Sequence, residues 1–150
     1  MRRYGPIFIA KKELARGIPS ISFNYQCGGV VAIDRKDGVQ ARNAILGLGN
    51  RLKTDNISVC IFPEGTRSKT GEPKRFSENG LKILCKYAPS AYVVPISINN
   101  SWKMVRFGTF PMGLGNRLQF TIHEPIAIKD FSFPELMEKT EKAVVQGIKN

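Results

Sequence analysis

The chain has 150 residues, of which 42% are hydrophobic and 23% charged, the proportions of an ordinary soluble globular domain large enough to bury a core. No apolar run approaches the ~18 to 20 residues of a membrane-spanning helix, and the stretch after Met1-Arg2-Arg3 meets Lys11-Lys12-Glu13 too soon to be a secretory signal. The net charge of +11 calls for an anionic partner: nucleic acid, an acidic membrane face or a phosphorylated substrate.

That charge is unevenly placed. Residues 129–150 carry four lysines and four acids, so the whole excess lies in residues 1–128. Cys27, Cys60 and Cys85 are odd in number and lack metal-ligand spacing. Reduced thiols, no metal site and a cytoplasmic setting are therefore expected.

Along the chain, Pro6 to Ala10 reads as a short buried strand ending in the basic pair Lys11-Lys12. Gly29 to Ile33 reads as a second, ending in Asp34-Arg35. Asp37 then stands as the N-cap of a helix from about Gly38 to Lys53, with Ala41, Ile45, Leu48 and Leu52 on one face. Gly47 and Gly49 weaken that helix by up to ~1 kcal/mol each relative to alanine. Ile57 to Phe62 is the third strand. Ser77 is placed to cap a helix with an apolar stripe of Leu81, Leu84, Cys85 and Ala88, and Pro89 stops it. Ala91 to Ile98 is a strand by its β-branched content, with Pro95 marking an edge or an end. Leu118 to Ile122 is one more, and Ser132-Phe133-Pro134-Glu135 is a capping box opening a C-terminal helix. Strands alternating with helices predict an α/β fold, a mostly parallel sheet flanked by helices in a single domain over 1–150. The hexapeptide GLGNRL occurs at 47–52 and again at 113–118, once inside a helical pattern and once before a strand, which makes it coincidence rather than a repeat.

In a parallel sheet the C-terminal ends of the strands share one edge, and ligands bind there. Two strands end in charged turns, Ile33-Asp34-Arg35 and Phe62-Pro63-Glu64-Gly65-Thr66-Arg67. If those strands are near neighbours, Arg35 and Arg67 converge on one crevice. Two guanidinium forks beside the Gly65 amide and the Thr66 hydroxyl suit a phosphate dianion. Lys69, Lys74 and Arg75 add positive field. Taken alone, Gly65-Thr66-Arg67-Ser68 reads more simply as a solvated basic turn. It is not a P-loop, because Glu72 follows Gly71 where a phosphate-gripping lysine should stand.

The wider pattern resembles the phospholipid/glycerol acyltransferase family, whose best-known members are the 1-acyl-sn-glycerol-3-phosphate acyltransferases. Phe62-Pro63-Glu64-Gly65-Thr66-Arg67-Ser68 reproduces the most distinctive block of that family without a mismatch. Gly29-Val30-Val31-Ala32-Ile33-Asp34-Arg35 is similar to its Gly-x-x-Phe-Ile-Asp-Arg block, with Ala32 replacing the usual aromatic. Ala10-Lys11-Lys12-Glu13-Leu14, the segment from Arg75-Phe76 to Gly80, and Val93-Val94-Pro95-Ile96 match three further blocks in order, from about Ile7 to Ile128. The resemblance implies a glycerol-3-phosphate acyltransferase-like fold. It also implies transfer of a fatty acyl group from acyl-CoA or acyl-ACP, as co-substrate and with no other cofactor, to the free hydroxyl of lysophosphatidate. Carried over by position, Arg35 and Arg67 hold the acceptor phosphate, while Glu64, Gly65 and Thr66 shape the glycerol pocket.

One block of the family does not occur in these 150 residues: His-x-x-x-x-Asp, expected a few tens of residues before Ala10. Its histidine takes the proton of the acceptor hydroxyl and its aspartate orients the ring. The single histidine, His123, lies far downstream with no aspartate at that spacing. The resemblance therefore implies an N-terminally incomplete domain that carries the acceptor-binding half, with no catalytic residue of its own. Two alternatives stay open, a lipid-phosphate-binding chain without turnover and His123 as a substitute base. A basic nucleic-acid-binding domain would explain the charge but not the ordered blocks. Nucleic acid is accordingly not expected as a partner, whereas a lysophospholipid, an acyl thioester and an anionic membrane surface are. Ser101-Trp102-Lys103-Met104-Val105-Arg106-Phe107 reads either as a basic, aromatic loop resting at the headgroups or as a packed tryptophan beside solvated charges. The expected location is peripheral, on the cytoplasmic face of a membrane.

Overall fold

The computed structural model describes residues 5–12, 23, 29–34, 36–55, 57–66, 68–105 and 113–149. They fall into two compact units, Met1–Phe62 with Asn79–Pro89, and Pro63–Glu78 with Ser90–Asn150. Among the described residues no helix is long and apolar enough to cross a membrane.

The first unit is built on β1 (Ile7–Lys11), β2 (Val30–Ile33) and β3 (Val59–Cys60). They pair in parallel in the order β2-β1-β3, with Phe8 opposite Val30 and Ile7 opposite Val59. Parallel strands need a crossover, and α1 (Gly38–Asp55) carries the chain from β2 to β3, the two strands that flank β1. Alternation along β1 buries Ile7 and Ile9 and leaves Phe8 exposed. The two isoleucines form a core with Ile45 and Leu48 of α1 and Leu84 of α2 (Glu78–Tyr87). Asp37 caps α1 as its sequence position predicts, its Oδ1 accepting the Val39 and Gln40 N–H groups at 3.1 and 2.9 Å. From the first turn of α1, Gln40 reaches back to the end of β2. Its Oε1 accepts the Asp34 N–H at 2.8 Å and its Nε2 donates to the Ala32 carbonyl at 3.2 Å. Gly49 is a packing device as well as a helix weakness: a Cβ there would stand 2.9 Å from Tyr87 Cγ. Burial raises the pKa of the Cys60 and Cys85 thiols above the usual value; Cys27 lies outside the described residues.

The second unit departs from the expected mostly parallel sheet. The strand predicted over Ala91 to Ile98 breaks at Pro95 into β4 (Tyr92–Val93) and β5 (Ile96–Asn99). β5 pairs with β6 (Gln119–Ile122) and β4 with β7 (Ile126–Ala127), both antiparallel. The described part of the connection from β5 to β6 includes a 3-10 helix, Ser101–Val105, and the two strands run antiparallel. A bond from the His123 N–H to the Pro95 carbonyl at 3.0 Å joins the two pairings into one ribbon.

Helix α3 (Phe133–Gln146) buries Leu136, Met137, Thr140 and Val144, at helical spacing. Its predicted cap is present. The Glu135 carboxylate accepts the Ser132 hydroxyl at 2.6 Å and the Ser132 N–H at 2.9 Å. The C-terminus of α3 is held by the inward side chains of β5. Ser97 Oγ donates to the Val144 carbonyl at 2.7 Å and Asn99 Nδ2 to the Gly147 carbonyl at 2.9 Å. Both residues are buried, at 0% and 3% exposure.

Two stability measurements follow from this packing. Leu48 is 1% exposed, and Leu48→Ala should cost ~2–5 kcal/mol in urea unfolding by leaving a cavity. Hydrogen bonds from Ser132 hold the Glu135 carboxyl below its usual value. The folded pKa is depressed, so the contribution of the cap is full above the unfolded value of about 4.3 and fades as pH falls through the folded one. Thermal melts of Glu135→Gln should accordingly lose less stability than the parent on acidification.

Candidate functional site

After β3 the chain passes through Phe62-Pro63 into a turn that glycine makes possible. The Thr66 N–H donates to the Glu64 carbonyl at 2.8 Å, and Gly65 between them has φ 72°. A two-residue backbone bond across a positive φ is a γ-turn that side chains disfavour. The amide of Thr66 is consumed by this turn, so its hydroxyl is the group it can offer a ligand.

The hydroxyl is held from across the loop. Lys74 Nζ donates to Thr66 Oγ1 at 2.8 Å. An ammonium has donors only, so Thr66 Oγ1 is the acceptor and its own proton can be passed outward. Thr66 and Lys74 are both exposed, and Glu64 is half-buried. The loop that presents them is fastened at several points. The Ser77 N–H closes its base on the Pro63 carbonyl at 2.9 Å. Ser68 Oγ accepts the Thr70 and Gly71 N–H groups at 3.2 and 2.9 Å. Phe76 is buried, and its N–H donates to Glu141 Oε1 on α3 at 3.3 Å. Gly71, at φ 93°, packs so closely on the indole that a Cβ would lie 2.6 Å from Trp102 Nε1.

The structure therefore brings Glu64, Gly65 and Thr66 into one turn and adds Lys74, which the sequence offers only as nearby charge. Arg35 and Arg67 lie outside the described residues. Asp34, just before Arg35, is fixed by the Gln40 clamp on β2. Trp102 lies against Gly71, as in the packed reading of its segment, with Lys103 Nζ 5.7 Å from its ring centroid. Arg106 and Phe107 lie outside the described residues. Among the described residues no group of three or more His, Cys, Asp or Glu side chains could hold a metal ion.

His123 has a structural task. Its Nε2 lies 2.7 Å from Ser97 Oγ, and the hydroxyl proton of Ser97 goes to the Val144 carbonyl. Ser97 must then accept from His123, which places a proton on Nε2 and removes that nitrogen as a base. Gly147 completes the cluster, because a Cβ there would meet Ser97 Oγ and lie 2.6 Å from His123 Nε2. His123 also lines a crevice in which Lys129 and Lys139 are balanced by Glu124 and Asp130, a poor setting for an anion.

The family model described as Acyltransferase matches residues 1–99. A 1-acyl-sn-glycerol-3-phosphate acyltransferase of Salmonella typhimurium is 28% identical over 108 residues, 72% of this chain and 43% of that protein. The chloroplastic 1-acyl-sn-glycerol-3-phosphate acyltransferase LPAT1 of Arabidopsis thaliana is 30% identical over 109 residues, 73% of this chain and 30% of that protein. A 1-acyl-sn-glycerol-3-phosphate acyltransferase of Haemophilus influenzae is 35% identical over 63 residues, 42% of this chain and 26% of that protein. The chain thus spans less than half the length of these relatives. No solved structure matches.

The cluster around Ser97 generates its own test. Ser97→Ala takes the side-chain donor from the Val144 carbonyl, which keeps the Gly147 N–H, and leaves the His123 N–H without its acceptor, a loss of ~1–3 kcal/mol at a buried position. His123→Gln, whose amide can still donate to Ser97, should lose much less in the same thermal unfolding series.

Proposed function

The chain belongs to the acyltransferase family, and on that premise we propose that it supplies the acceptor-holding part of an enzyme acylating lysophosphatidate. A fatty acyl group moves from acyl-CoA or acyl-ACP to the free hydroxyl of the acceptor. The hydroxyl oxygen attacks the thioester carbonyl, an ester C–O bond forms, the C–S bond breaks, and the carrier leaves as its thiol. The fold that goes with this reading is glycerol-3-phosphate acyltransferase-like, and the setting is phospholipid biosynthesis.

The observation that carries the proposal is the Lys74–Thr66 hydrogen bond across the turn. It orients a hydroxyl donor with an ammonium directly behind it, an arrangement that favours a phosphate oxygen over a neutral one. Arg67 follows Thr66 in sequence and supplies the fork for the dianion, and the resemblance extends that role to Arg35. Glu64 accepts from a glycerol hydroxyl, and Gly65 lets the backbone approach. These residues bind and orient. His123, committed to Ser97, is not assigned the proton transfer.

Calorimetry with lysophosphatidate and with its neutral counterpart, monoacylglycerol, tests the proposal. The parent chain should prefer the phosphorylated ligand. Arg35→Gln and Arg67→Gln should each weaken it by about 10- to 100-fold, and Thr66→Val or Lys74→Met by about tenfold. The double variant Thr66→Val, Lys74→Met should lose little more than either alone, because the two act through one bond. Equal affinity for the neutral ligand, or a preference for single-stranded DNA over either, would overturn the reading.

A further inference from the structure

The ribbon of the second unit is turned inside out. β5 directs its polar residues, Ser97 and Asn99, inward to the carbonyls at the end of α3. Strand alternation then sends Val94, Ile96 and Ile98 to the opposite face. The register sets Ile122 across from Ile96 and Phe120 across from Ile98, and Leu118 continues the row by alternation. Phe120 and Ile122 are 60% and 71% exposed, and Val94, Ile96 and Leu118 are exposed as well. Tyr92, also exposed, extends the face at the Pro95 end. From Ile96 and Ile122 to Leu118, ~13 Å of ribbon, no charged residue among those described falls on this face by alternation, and Glu124, opposite Val94 in the same register, bounds it. Apolar patches of this extent on a folded surface mark an interaction site.

Charge decides among the occupants. A second copy would bring another +11 against this one. The face also lacks the hydrogen-bonding side chains that set register between proteins, which average about one bond per 100–200 Å². A hydrocarbon boundary needs none. The segment 91–128 carries Lys103, Arg106 and Arg117 against one acid, Glu124. Arg117 shares a shallow recess with Leu118 and Phe120, so a cation stands beside the apolar row. Glu124 lies at the other end of the ribbon, where Tyr92 offers an aromatic suited to headgroup depth.

We propose that the outward face of the β5–β6 ribbon is the surface on which this chain lies against an anionic phospholipid bilayer. Ile96, Phe120 and Ile122 enter the boundary between headgroups and acyl chains, and Arg117 and Lys103 meet lipid phosphates. The contact is thereby assigned to the ribbon instead of the Trp102 loop, whose indole is engaged by Gly71. Lipid chemistry agrees with the proposed acceptor, but the surface does not depend on the acceptor turn. Failure of one leaves the other standing.

Flotation of the full chain with vesicles of phosphatidylcholine, alone or mixed with phosphatidylglycerol, tests this. The parent should float with the mixed vesicles and lose that binding in high salt. The triple variant Ile96→Thr, Phe120→Thr, Ile122→Thr keeps strand propensity, and its partitioning should fall by about tenfold or more. Its melting temperature should be unchanged, since those side chains face solvent in the free protein. Lys103→Gln with Arg117→Gln should erase the preference for the anionic vesicles. The proposal is overturned if the parent binds no vesicle or the triple variant floats like the parent. It is equally overturned if that variant melts lower, or if the parent sediments as a dimer that the variant dissociates.

Discussion

The last carbonyls of α3 must be satisfied, and at Val144 and Gly147 side chains from a β-strand join the backbone N–H groups in doing so. A helix end buried without partners is costly, and here Ser97 and Asn99 add donors to those of the Gly147 and Ile148 N–H groups. Much of the second unit follows from that requirement. The inward face of β5 has to be polar, so its isoleucines turn outward. Ser97 has one proton to give, so His123 is recruited as the donor to its oxygen. Gly147 has to lack a side chain, because the space beside it is filled by Ser97 and His123. A histidine that in isolation invites a catalytic reading is one corner of a helix cap.

The Glu64-Gly65-Thr66 turn rests on a different economy. The γ-turn at Gly65 consumes the Thr66 amide, and Lys74 consumes one lone pair of the Thr66 hydroxyl. A single outward O–H donor remains, with positive charge behind it. The loop needs its fastenings at Ser77, Ser68, Gly71 and Phe76 because an exposed basic loop has little other reason to hold one shape. Membership of the acyltransferase family and this oriented donor support each other. Under the proposed function the family suggests the substrate class, and the oriented donor gives a physical reason for a phosphate there.

Much of this was legible in the sequence. Asp37 and Ser132 are helix starts whose chemistry is local, so three residues on either side suffice to read them. The parallel strands were readable from apolar runs bounded by charge, and the Phe62 to Ser68 block through its resemblance to the family motif. The antiparallel ribbon was not, because strand direction depends on what fills the connection between residues 100 and 118. Nor was the Lys74–Thr66 bond, since eight residues of loop can return in many ways. The inside-out face escaped for a physical reason too. Val, Ile and Phe at alternate positions announce a buried face, and only the neighbouring helix end shows which face is inward.

The claim that most of this serves is that the Glu64-Gly65-Thr66 turn receives a phosphate. A titration of sn-glycerol 3-phosphate into the isotopically labelled chain, followed by two-dimensional NMR, measures it directly. Saturable shifts of the Gly65 and Thr66 amides and of the Lys74 side chain, with Ser97 and Gly147 unmoved, are the expected result. Saturable shifts confined to the crevice around His123 and Lys139, with Gly65 silent, would contradict it.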